Sequence, residues 1–134
     1  MDSLIVRLRT GDRLVTEITS EAARFCRGKG DGLCHVFVPH ATAGVALMET
    51  GSGSESDLAD AIDRLLPPDE TYRHRHGSLG HGRDHILPAF ISPSLSVPVL
   101  DGELQLGTWQ SLIVIDTNVD NPDRNIRLSF LSGS

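Results

Sequence analysis

Between Ser3 and Arg9 apolar Leu4, Val6 and Leu8 alternate with outward positions, and that period of two predicts a half-buried strand. Gly11-Asp12 reads as a turn, and Leu14 to Ile18 as the returning strand. Thr19 to Arg27 switches to helical spacing: Thr19 is a candidate N-cap, Ala22, Phe25 and Cys26 form one face, and Gly28 stops the element. Leu33 to Val38 and Gly44 to Met48 predict strands on either side of Pro39-His40-Ala41-Thr42, a break too polar and kinked to sit in a ladder. A second helix is predicted from Ser54, where Ser54 and Asp57 resemble a capping box and Leu58, Ile62, Leu65 and Leu66 recur at helical spacing until Pro67-Pro68 ends it. Residues 67 to 84 form a polar stretch rich in Arg, His and Gly, longer than structureless loops usually are unless functional. Ser94 to Leu100, Thr108 to Thr117 and Asn125 to Leu131 read as strands, with Asp101-Gly102 a hairpin turn and Pro98 marking an edge or bulge. Strands adjacent in sequence, about seven of them with two or three helices, predict an α+β fold on a mostly antiparallel, β-sandwich-like core.

Composition narrows the class. A chain of 134 residues is the size of one domain, so residues 1–134 are expected to share one fold. Twelve Lys and Arg against 18 Asp and Glu leave a net charge of −6, which argues against a generic nucleic-acid or anionic-membrane binder. Two cysteines, Cys26 and Cys34, are too few to staple a fold and point to a reducing, cytoplasmic setting. Arg7 and Arg9 interrupt the early apolar run, and no segment has the roughly 20 apolar residues of a membrane span, so neither a signal peptide nor a membrane anchor is expected. Aromatic residues are 4% of the chain, so Leu, Ile, Val and Ala must fill the core.

Six histidines are the chemical anomaly, since His74, His76, His81 and His85 fall within twelve residues. Imidazole is a common transition-metal ligand, an acid or base near neutral pH and an anion contact when protonated. His74 and His76, in the run Arg73-His74-Arg75-His76, read as a solvated loop. His81 and His85 share a face if their segment is helical, with Asp84 available as a carboxylate. His40 follows Pro39 at a strand end and precedes Ala41, Thr42, Ala43 and Gly44, small residues that let a ligand approach the backbone. Strict alternation puts Glu49 on the apolar face of Val45 and Leu47, where a carboxylate is costly unless paired, making it a candidate metal ligand or base. Asp57 reads as a helix cap, and Trp109-Gln110 as either core or a stacking platform with an amide beside it.

Laid out this way, the chain resembles the YjbQ-like proteins, described as secondary thiamine-phosphate synthases. The resemblance rests on His40-Ala41-Thr42-Ala43-Gly44-Val45 followed by Glu49, and on Asp84-His85 leading into Ser92-Pro93-Ser94-Leu95. It continues through Asp101-Gly102 and Leu104-Gln105-Leu106-Gly107-Thr108-Trp109-Gln110, so it spans nearly the whole chain. It implies an α+β fold assembled as a homotrimer with polar sites near subunit interfaces. By position it carries site roles to His40, Glu49, His85, Trp109 and Gln110; together with the residues read from spacing and charge, the expected catalytic set is His40, Glu49 and His85, the expected metal ligands His40, His81, His85 and Glu49, and the expected substrate contacts Thr42, Arg83, Ser94, Trp109 and Gln110. The chain departs from the common pattern at Met48-Glu49-Thr50 and in its His- and Arg-rich loop.

The reaction the resemblance implies joins a pyrimidine diphosphate to a thiazole phosphate. It needs a divalent metal, Mg or Zn, or cationic groups for the departing diphosphate, and an electron-rich pocket for the carbocation-like ring. Two other readings compete: a metal-dependent hydrolase using a His/Glu site, and a non-catalytic trimer binding a small phosphorylated metabolite. Across Arg73 to His85 three arginines and four histidines face one aspartate, so an otherwise acidic chain carries one cationic segment suited to a small phosphate ester.

Overall fold

The computed structural model describes residues 1–69, 72–74, 77 and 80–133. His76 and Arg75, singled out in the sequence, lie outside the described residues. Among the described residues eight strands form two antiparallel sheets. The larger has the order β1 (Asp2–Arg9), β8 (Asp123–Ser132), β3 (Gly32–Phe37), β5 (Ser94–Leu100) and β6 (Glu103–Leu104); the smaller runs β2 (Val15–Glu17), β7 (Ser111–Asp116) and β4 (Ala43–Met48). Helices α1 (Thr19–Cys26) and α2 (Ser54–Leu65) are joined by two single turns, α3 (His81–Asp84) and α4 (Leu87–Phe90). The α+β class and antiparallel core predicted from patterning are therefore observed.

Strand β7 explains the layering. Its run Leu112-Ile113-Val114-Ile115 is apolar on both faces, and the pleat sends alternate residues to opposite sides. Leu112 and Val114 join Cys34, Val36, Val99, Ile126 and Leu128 in a core between the two sheets, closed by Ala22 and Phe25 of α1. Ile113 and Ile115 face the other way, against Ile62 of α2, Leu66 just past its end and Leu87 of α4. The order is thus large sheet, small sheet, then α2 and α4. Cys26 and Cys34 are both fully buried in the first core as free thiols, and burial pushes the Cys34 thiol up to about 12.

Several local expectations are corrected. The capping box is absent: Gly53, in the left-handed region at φ 90°, is the N-cap, and Glu55 instead accepts the Gly51 N–H at 3.0 Å. Asp57 makes no side-chain cap bond, so neither member of the supposed pair caps α2. Ile18 rather than Thr19 caps α1, and the Thr19 hydroxyl accepts the Leu112 N–H at 2.9 Å, tying α1 to β7. The strand predicted from Thr108 begins only at Ser111, because Gly107 to Trp109 is a turn whose Gly107 N–H bonds to Gln110 Oε1 at 2.8 Å. Pro98 lies in β5 between β3 and β6 rather than on an edge strand: it pairs with Leu33, and its carbonyl accepts the Gln105 N–H just past the end of β6. Gly44 is not an approach for a ligand, since a Cβ there would overlap the Ile91 carbonyl oxygen as residues 91–92 cross β4.

Candidate functional site

The site is built where β7 ends. Gly80, at φ 88°, takes a conformation that costs other residues a steric clash and so turns the chain into α3. One helical turn puts His81 and His85, four apart, on one face, and their Nε2 atoms lie 2.9 Å apart. Leu87, 1% exposed, buries against the outer face of β7 and fixes this turn to the sheet. The segment carrying Tyr72 to His74 then folds across α3. It comes so close to Gly82 that a Cβ there would lie 2.6 Å from Tyr72 Cβ and 2.9 Å from the His74 carbonyl oxygen. The Tyr72 hydroxyl anchors the segment by donating to the Pro67 carbonyl at 2.8 Å.

His74 is thereby brought onto the pair. Its ring centroid lies 5.3 Å from that of His81 and 4.1 Å from that of His85, and one nitrogen from each of the three rings falls within 4.8 Å of the others. The reading of His74 as a solvated loop residue is corrected: it is exposed on its outer side but converges with His81 and His85. The set that converges is His74, His81 and His85, not His40, Glu49, His81 and His85.

Two carboxylates flank the cluster. Asp120 Oδ2 lies 2.9 Å from His81 Nδ1, a close carboxylate–imidazole contact. Gly77, at φ 87°, lies over this pair; a Cβ there would be 2.6 Å from His81 Cγ and 2.7 Å from Asp120 Oδ2. Asp84 is 2% exposed and accepts the Thr117 hydroxyl at 2.5 Å. Burial raises its carboxyl above the ordinary range, while Thr117 and the charge of Arg83 pull it back. Arg83 Nη1 donates to Asp63 Oδ1 at 2.6 Å and to the Leu66 carbonyl at 3.2 Å, so this arginine is committed to α2. A cavity of about 250 Å³ opens beside it, lined by Leu14, Ile62, Asp63 and Thr117 among others.

His40 belongs to a second, adjoining network. Its Nε2 accepts the Asn125 N–H at 2.9 Å, which requires that nitrogen to be unprotonated. Burial and the nearby Arg124 charge push the imidazole below its ordinary range. Arg124 is 2% exposed and grips Asp116 through Nε (2.6 Å) and Nη2 (3.2 Å), while Nη2 also donates to Thr42 Oγ1 at 3.1 Å. Thr42 Oγ1 accepts Asn118 Nδ2 as well, at 3.2 Å, so this candidate substrate contact is engaged inside the protein. Ser94 lies at the same end of the large sheet, with its backbone N–H on Ser92 Oγ at 3.2 Å.

The remaining candidates sit at the other end. Ala43 pairs with Asp116 and Met48 with Ser111, so β4 carries Glu49 about 17 Å along the sheet from the histidine end. Glu49 is exposed and accepts the Ser52 hydroxyl at 3.3 Å, which corrects its placement on an apolar face. Trp109 is 73% exposed in the chain by itself, so it is not core, and Gln110 is occupied with Gly107. Within one chain, Glu49, Trp109 and Gln110 are thus separated from His40, Asp84 and His85. Asp120 carries no signal of its own in the sequence, since it lies in a polar stretch without periodicity; only its place after a long buried strand sets it apart.

The family profile described as UPF0047 protein YjbQ-like matches residues 5–133. The chain belongs to the YjbQ/UPF0047 family. A UPF0047 protein of Mycobacterium tuberculosis is 55% identical over 133 residues, covering 99% of this chain and all of the relative, and one of Methanothermobacter thermautotrophicus is 32% identical over 91% of this chain and 86% of the relative. The crystal structure of a hypothetical protein from Aeropyrum pernix K1 superposes with a TM-score of 0.87 at 29% identity, covering 98% and 99% of the two chains. An uncharacterized YjbQ/UPF0047 protein from Clostridium acetobutylicum gives 0.84 at 26% identity, covering 96% and 99%. The YjbQ-like fold predicted from the motifs is therefore that of the chain. Among its described residues no helix is long and apolar enough to cross a membrane.

Proposed function

We propose that this YjbQ-family chain is an enzyme acting on a small phosphorylated substrate at the three-histidine cluster, with a divalent metal held by His74, His81 and His85. The observation that carries the reading is the convergence of three imidazole nitrogens within 4.8 Å beside a buried carboxylate. Nitrogens on a tetrahedral ion with bonds of about 2.0–2.1 Å are about 3.3 Å apart, close to the 2.9 Å already found between His81 and His85. The reaction is the one the family resemblance implies, joining a pyrimidine diphosphate to a thiazole phosphate.

A bound divalent ion would offset the charge that develops on diphosphate as the C–O bond breaks. Arg73, exposed and next in sequence to His74, faces the solvent where a phosphate would arrive. Asp84 and Thr117 hold α3 to the end of β7 and keep His81 and His85 in place. A homotrimer in a reducing, cytoplasmic setting accompanies the proposal. The free buried thiols support the setting, and exposed Ile5, Leu33, Phe37 and Leu131 of the large sheet support assembly.

Formation of thiamine phosphate from the two phosphorylated precursors tests the activity. Wild-type protein should form it with a divalent ion present and His85→Ala should not; no product from wild type sinks the transfer, and full activity in H85A sinks the site. A second reading, hydrolysis, is favoured by the ligand count, because three nitrogens leave a fourth position for water. Release of phosphate from simple esters without any joined product would select it.

A further inference from the structure

The ligand atoms that converge are all imidazole nitrogens; among the described residues no carboxylate oxygen joins the set. Mg²⁺ takes oxygen ligands, keeps several of its waters and demands octahedral geometry, whereas imidazole suits zinc and its d-block neighbours. The second feature is the surround. His81 is 7% exposed, its Nδ1 faces Asp120 and its Nε2 faces His85. A carboxylate beside Nδ1 favours the tautomer with the proton there, which turns the Nε2 lone pair toward the cluster. Gly77 closes over this pair at a distance that admits no side chain, so Asp120 has little room to leave.

We infer that the cluster is a zinc-type centre that discriminates against Mg²⁺, and that Asp120 is the positioning residue that aims His81 into it. This rests on the metal reading above and adds to it the class of ion and a residue that no motif of the chain points to. Asp120 reaches this place because Asn118 and Asp116 fold the intervening chain: the Asn118 N–H bonds to Asp116 Oδ1 and the Asp120 N–H to Asn118 Oδ1, each at 2.9 Å. The carboxylate is therefore held by the same buried network that holds Arg124.

The test is a titration of chelator-stripped protein with Co²⁺, read by the visible absorption of the bound ion, followed by competition with Zn²⁺ and with a large excess of Mg²⁺. Wild type should take up Co²⁺ with the intense bands of a low-coordinate nitrogen site, lose them to Zn²⁺ and keep them in Mg²⁺. His81→Ala and His85→Ala should lose the bands and His40→Asn should keep them. Asp120→Ala should weaken binding about 10–100-fold, and Asp120→Asn by less, with circular dichroism unchanged. No Co²⁺ or Zn²⁺ uptake by wild type overturns the metal reading itself. Displacement by Mg²⁺ overturns only the ion class, and unchanged affinity in D120A overturns only the role of Asp120. Should D120A fail to fold, nitrogen NMR of wild-type His81 decides: a proton on Nδ1 supports the assignment and a proton on Nε2 alone refutes it.

Discussion

Replacing Arg124 by Met should be the most destabilising single change within the network beside the site. The Arg124 and Asp116 side chains are each 1% exposed, and the pair is nearly bidentate. Methionine removes the charge but leaves Asp116 buried with two donors, the Thr10 hydroxyl and the Asn118 N–H, both at 2.9 Å. Thr42 Oγ1 keeps one donor of its two. Removing one partner of a buried ion pair costs about 3–5 kcal/mol, because the other charge is left without compensation. For a chain of this length that is roughly 10–20 °C in Tm. Urea unfolding followed by circular dichroism measures it, with an unchanged slope showing that the unfolded state is the same. Asp116→Asn with Arg124→Met should recover part of the loss, since no naked charge remains and Asn still accepts from Thr10. A cost below about 1 kcal/mol for R124M would refute the reasoning, because Asp116 would then not be left as an uncompensated buried charge.

Gly82→Ala places a methyl group 2.6 Å from Tyr72 Cβ and should displace the segment that delivers His74, lowering Co²⁺ affinity by about tenfold or more while Tm moves little; unchanged affinity would mean that His74 does not depend on this contact. Because the folded His40 is pushed below its ordinary range, the unfolded chain takes up a proton first, so stability is full above about pH 6.5 and is lost as pH falls through the depressed folded value. The urea midpoint of wild type should therefore drop more between about pH 7.5 and about pH 5 than that of His40→Gln, and equal drops would count against the assignment. Trp109, the lone tryptophan and 73% exposed in one chain, should emit as a solvated indole when dilute. A blue shift with rising protein concentration would report its burial between copies; its absence while sedimentation shows a trimer would place the interface elsewhere.

What could be read from the chain was what local spacing controls. The alternation in β1, the helical face of α2, the Asp101-Gly102 hairpin and the i, i+4 relation of His81 to His85 all depend on residues a few positions apart. The pairing of His74 with that face does not, because it arises where residues 72–74 cross Gly82, and a contact between segments leaves no period behind. Asp120 was illegible for the same reason. Glu49 misled because alternation was extended one residue beyond the end of β4, where the chain has already left the sheet. Gly44 misled differently: smallness signals close approach, and the approaching group is the chain's own Ile91 carbonyl rather than a ligand.

The five-residue run from Asp116, which ends β7, to Asp120 limits the lengths of chain this fold can tolerate. Asp116 meets Arg124, Thr117 meets Asp84, Asn118 meets Thr42 and Asp120 meets His81, each from a fixed place in one short run. Inserting or deleting one residue there would not shift a loop; it would hand every partner the wrong side chain at once. In a scan of single-residue insertions, positions 116 to 120 should fail as a block, with loss of stability and of the histidine geometry together.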